Sequence, residues 1–189
     1  MLERIKSRTD VAELLAGSFD FDVTRDDPVE GLRLASGAAL VPIAGEGAGG
    51  SYFLSGAGAG AARPVVFATS EGQGGPIAAD LVQALQLVIG LPYWQDCLKF
   101  SAGGDLDEMR SAAARLEHEL LEDCPQVAAA RSRLRTDLDL PEVPADELLV
   151  KLHRAVAGTA PDFILLDPDA NSYDSLFNTF RVADNPMWR

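Results

Sequence analysis

The chain is short of cysteine, of histidine and of positive charge, and it has no long apolar run. Its 189 residues hold 2 cysteines and 2 histidines, and 16 lysines and arginines stand against 29 aspartates and glutamates, for a formal net charge of −13. Each shortage excludes something. Cys97 and Cys124 are too few and too widely spaced for a disulfide framework or a zinc site, so free thiols in a reducing compartment are expected. A protein that tracks phosphates needs clustered lysine and arginine, so the acidity argues against a nucleic-acid binder and against an anionic membrane surface. No apolar stretch is long enough to span a bilayer. The first residues, Met1 to Lys6, lack the apolar core and small-residue cleavage site of a signal peptide, so a cytoplasmic location is expected. A basic protein partner fits the charge, because complementary potentials speed an encounter; the plainer reading is that acidity keeps the protein soluble.

What is present is a real core. Hydrophobic residues make up 47% of the chain, enough for one domain with a helical extension. Leu2, Ile5, Ala12 and Leu15 fall on one helical face over 2–16, with Gly17 as a stop. Residues 18–37 are polar, with turns marked by Asp26-Asp27-Pro28 and Gly31. Apolar runs at 40–44, 52–54 and 65–69 are expected as strands, and their short connections favour antiparallel neighbours. The glycine-rich 55–62 stretch is expected as a surface loop. Glu71 to Gly75 should break the sheet, with Pro76 in the first turn of a helix whose face is Ile77, Leu81, Leu85 and Val88.

The second half is helical in pattern. Asp105 and Glu108 form a start signal, and Leu106, Met109, Ala113, Leu116 and Leu120 make a stripe. Pro125 interrupts, Val127 to Leu138 suggests another helix, and Leu148, Leu149, Leu152 and Val156 a further one. A late strand is expected over 163–166. The fold class is therefore α+β: a small, mainly antiparallel sheet packed against helices, with residues 1–103 as the core and 104–189 as a helical extension of the same domain.

Motifs that carry chemistry are thin. Gly45, Gly47 and Gly50 satisfy G-x-G-x-x-G, but the next residues, Ser51 to Leu54, are strand-like rather than helical, so an ordinary glycine turn is the better reading. His118, Glu119 and Glu122 form H-E-x-x-E, which sets His118 and Glu122 on one helix face as a metal-dependent enzyme would need. The second histidine is missing, and a solvated face explains the trio more simply. Asp167, Asp169 and Asn171 match the opening of a calcium loop, but Ser172 and Asn178 stand where glycine and glutamate are needed. An Asx-type turn capping a following helix explains them better. No G-x-S-x-G elbow occurs. Tyr93 and Trp94 could stack on a ligand, though large aromatics mostly pack the core.

One resemblance organises the first half. Pro42-Ile43-Ala44, Gly45, Gly47, Gly49 and Gly50, Tyr52-Phe53-Leu54, the strand 65–68, Ser70-Glu71-Gly72 and the helix 77–89 together resemble the SMI1/KNR4, or SUKH, superfamily. The resemblance implies a strand meander with helices on one side and a non-catalytic protein-binding role. Many bacterial members look like immunity proteins that occlude a cognate toxin, often a nuclease. No cofactor is implied. The contact surface expected from the acidic side chains comprises Glu46 and Glu71 on loops, with Asp107, Glu108, Glu119 and Glu122 on the later helix. A regulatory scaffold with a non-toxin partner and a metal-dependent enzyme using His118, Glu119 and Glu122 are the alternatives.

Overall fold

Tyr52 and Phe53 are neighbours in one strand and both are buried, so the sheet they belong to is covered on both faces. In the computed structural model, which describes residues 1–27, 31–56 and 63–188, that sheet is an antiparallel meander. Its strands β2 (Leu40–Gly45), β3 (Ser51–Ser55), β4 (Val65–Ala68) and β5 (Gly74–Ala78) lie in the order β2-β3-β4-β5. A separate ribbon pairs β1 (Arg33–Leu34) with β6 (Leu165–Leu166). Ile43, Tyr52, Val65, Phe67 and Ile77 face the main core. Phe53, Val66 and Ala68 face the other way, onto Leu34 and Leu165 of the ribbon. The apolar runs are continuous rather than alternating because both sides exclude water.

The helices are α1 (Leu2–Lys6), α2 (Thr9–Phe19), α3 (Leu81–Gly90), α4 (Trp94–Lys99), α5 (Leu106–Asp123), α6 (Val127–Leu138) and α7 (Ala145–Ala157). Two short 3-10 turns come after them at Val182–Asp184 and Pro186–Trp188. Ile5 and Leu15 from the first helices, Leu134 from α6 and Leu152 from α7 join Tyr52 and Trp94 in a single apolar cluster. The α+β class expected from the pattern is the one observed.

Three local expectations are corrected. Residues 74–75 do not break the sheet: Gly74, Gly75, Pro76 and Ile77 belong to β5, and α3 starts at Leu81, capped by Asp80, whose side chain accepts from Gln83 N–H at 2.8 Å. The glycines answer to crowding. A methyl at Gly74 would strike Leu165, and one at Gly75 would sit 2.7 Å from Thr159 Oγ1. Pro76 is tolerated because it lies beside a register shift on an outer strand. Next, the first helical pattern is two helices, and α2 runs through Gly17 to a left-handed cap at Asp20 (φ 51°). Last, the Asx turn is real, with Asp167 accepting from Asn171 N–H and Nδ2, both at 2.8 Å. The chain beyond it forms β-bridges from Ser172 and Asp174 rather than a helix. Of the 55–62 loop, residues 57–62 lie outside the described residues, as does Pro28 of the expected turn.

Candidate functional site

The glycine turn between β2 and β3 is built around a buried acid. Glu46 is only 6% exposed. Its Oε1 accepts from Gly50 N–H at 3.1 Å and its Oε2 from Gln95 Nε2 at 3.0 Å. Asp20, the cap of α2, accepts from Gly47 N–H at 2.7 Å, and Arg25 donates to the Glu46 carbonyl at 2.6 Å. Gly49 has φ +99°, which favours glycine. A methyl at Gly50 would come within 2.5 Å of Phe67 Cζ and 2.7 Å of Glu46 Oε1. The turn is thus closed over its own glutamate, and Glu46 is not the solvent-facing contact expected of it.

Three more pieces meet there. The β4–β5 turn is tied by Thr69, whose Oγ1 accepts from Gln73 N–H at 3.0 Å, and Ser70 donates to the Ala48 carbonyl at 3.1 Å. Helix α4 presents Gln95, Asp96 and Lys99. The segment after the ribbon passes alongside: Asn178 N–H donates to the Leu98 carbonyl at 3.1 Å, and the Asn178 carbonyl accepts from Ser101 Oγ at 3.0 Å and Gly103 N–H at 2.8 Å. Between these pieces lies a cleft of about 370 Å³ lined by Glu46, Glu71, Asp96 and Lys99, with Phe67, Trp94, Leu98 and Leu176 beneath and Phe180 at its side. Phe67 and Trp94 pack edge to face at 5.0 Å, making a rigid floor. Burial holds the Asp96 carboxyl above its ordinary range, with the Lys99 charge opposing the shift.

The six acids expected to form a contact surface do not share one. Glu46 and Glu71 line the cleft. The four on α5 do not. Asp107 pairs with Arg110 at 3.0 Å. Glu108 accepts from Val182 N–H at 2.9 Å, and Glu119 accepts from Trp188 Nε1 at 2.6 Å, so these two fasten the segment at 182–188. Glu122 is exposed and, among the described residues, meets only His118, at 3.4 Å. The H-E-x-x-E trio is therefore split, with Glu119 turned to Trp188, and no group of three metal-ligating side chains is assembled among the described residues. Asp96, Gln95 and Lys99 were missed by sequence reasoning. The only signal for them was the three-residue spacing that sets Asp96 and Lys99 on one helical face.

A second concavity, a groove of about 600 Å³, lies between α5, α6 and the residues leading into α7. At its base Arg131, 8% exposed, donates to both oxygens of Glu117 at 2.6 and 2.8 Å and to the Ile89 carbonyl at 3.1 Å. Tyr93 OH donates to Glu117 Oε2 at 2.9 Å. Burial would raise the Glu117 carboxyl, but hydrogen bonds from Arg131 and Tyr93 outweigh it and hold the carboxyl below its ordinary range. Trp94 is core, as expected of a large aromatic, and Tyr93 serves this ion pair. Burial pushes the Cys97 thiol up to about 12, so it stays protonated near neutrality. No helix among the described residues is long and apolar enough to cross a membrane.

Set against known proteins, no family model, no curated protein and no solved structure matches the chain.

Proposed function

We propose that this chain is a non-catalytic protein-binding module of the immunity type, which uses the face around the acidic cleft to occlude a basic partner, such as a nuclease toxin, in the cytoplasm. The cleft carries the reading: it gathers carboxylates from a turn, a second turn and a helix over an aromatic floor, at one end of the sheet. The resemblance of residues 40–100 to SUKH proteins supports the same conclusion: the two turns of the cleft come from segments that carry it, while α4 and the chain at 176–180 complete the lining. An acidic chain of net charge −13 steers a basic surface toward that face and repels nucleic acid.

The reading predicts a toxin-like reading frame beside this one, and the test is co-purification with that frame's product, followed by calorimetry; absence of such a neighbour counts against the reading. Affinity on the order of nanomolar, the range of protease–inhibitor pairs, and weakening with salt are expected. Failure to retain that product at low salt overturns the immunity reading. Retention of a different protein on the same face would favour a regulatory scaffold instead. For the metal-dependent alternative, metal analysis of the purified protein beside His118→Ala decides: a stoichiometric metal lost on substitution would revive it.

A further inference from the structure

We propose that the cleft is the seat for one arginine side chain projecting from a basic protein partner, with the Glu46 and Asp96 carboxylates as its counter-charge and the Phe180 ring as the surface it stacks on. This deepens the protein-binding reading, on which it rests, by naming the group that enters.

Glu46 is 6% exposed, yet both its oxygens are held by neutral donors, a backbone amide and a glutamine amide, and no cationic group pairs with its carboxylate among the described residues. A buried carboxylate without a counter-ion is costly, and a cation delivered by a ligand relieves that cost. Asp96 lines the same cavity half-buried, and its carboxylate has neither hydrogen bond nor ion pair among the described residues. Two cations nearby do not fill the role. Arg25 donates to the Glu46 backbone carbonyl at 2.6 Å rather than to its carboxylate. Lys99 is exposed, and its ammonium lies 5.7 Å from the centre of the Phe100 ring. Phe180, 47% exposed, lines the same cleft and lies against Phe100 at 6.4 Å, so part of its ring is left for a ligand to meet.

These features select among ligands. An anion is repelled by the carboxylates, and a neutral group leaves them uncompensated. A guanidinium suits the cleft better than an ammonium: it is planar, more weakly hydrated, stacks on aromatic faces and carries donors for two carboxylates at once. The cleft's volume of about 370 Å³ is ample for such a side chain, which enters while its own backbone lies across the rim.

The experiment titrates Nα-acetyl-arginine amide into the isotope-labelled full chain, with the uncharged citrulline analogue as control, and tracks amide shifts. Saturable shifts at 46–50, Gln95, Asp96 and Phe180 are expected, with arginine at least about tenfold tighter than citrulline. Asp96→Asn should weaken arginine by about tenfold and Phe180→Ala by less. Equal binding of the two probes, shifts centred elsewhere, no saturable response, or unchanged affinity in Asp96→Asn overturns the proposal. The two readings fail separately. Capture of the toxin-like product without arginine binding overturns the seat alone; arginine binding without capture supports the seat and overturns occlusion.

Discussion

In the groove beside α6, each arginine has a carboxylate: Arg110 meets Asp146 at 2.6 Å, Arg131 meets Glu117 at 2.6 Å, and Arg135 meets Glu142 at 2.8 Å. In the cleft beside α4, the Glu46, Glu71 and Asp96 carboxylates have no cation paired with them among the described residues. The two concavities lie on either side of one short stretch of chain, since Tyr93 lines the first and Trp94 the second. The difference teaches where charge serves the fold and where it is left over. A buried pair with good geometry fixes two helices and leaves nothing to offer a ligand. Carboxylates held by neutral donors, or by none, keep their attraction for something outside.

The sharpest way to break this contrast is Arg131→Ala. It strands Glu117 and should cost about 3 kcal/mol in urea unfolding, while replacing both partners with methionine should recover most of that. A cost under about 1 kcal/mol would mean that the groove's pairing holds little together. Next in size is the segment at 182–188. Glu119→Gln replaces a charge-assisted bond to the Trp188 indole by a neutral one and should cost about 1 kcal/mol, read from the same unfolding curves.

The two regions should also respond to pH with opposite sign. Glu117 has a folded-state pKa below its ordinary 4.5, so its contribution is present above that value and is lost as pH falls through the lowered one. Asp96 is raised above its ordinary 3.8, so its contribution is complete below that value and is lost as pH rises through the raised one. Stability measured across mildly acidic pH should therefore lose part of its acid-side fall in Glu117→Gln and gain slope in Asp96→Asn. Parallel curves would erase the distinction. Smallest of all, Asp96→Asn near neutrality should leave stability within about 0.5 kcal/mol of wild type or raise it slightly, because no internal partner is lost.

Much of this architecture was legible from residue patterns. The stripe from Leu106 to Leu120 and the aspartate before it gave α5, and Asp105 does cap it, accepting from Asp107 N–H at 2.9 Å. The runs at 40–44, 52–54 and 65–69 gave three strands of the meander. The fourth was hidden because Gly74-Gly75-Pro76 carries the residues of a turn. There the glycines are demanded by Leu165 and Thr159, more than 80 residues later in the chain, and no local rule contains that information. The cleft was half legible. Glu46 and Glu71 were singled out for their charge, but that Glu46 is enclosed, and that Asp96 completes the group, depends on how α4 lies against two turns. The α5 acids were misjudged for the matching reason: their partners, Val182 and Trp188, approach only when the chain returns.

Gly74 N–H donates to the Asp174 carbonyl at 2.9 Å, and Asp174 N–H donates to the Gly72 carbonyl at 2.8 Å. With these two bonds the returning chain occupies backbone groups at the start of β5 and in the turn before it, on the far margin of one of the meander's two outer strands, where a foreign strand would otherwise zip on. The same stretch that walls the cleft therefore also acts as a guard against fibril-like stacking. In the binding role proposed above, a margin closed to copies of the chain would leave the cleft face free for its target.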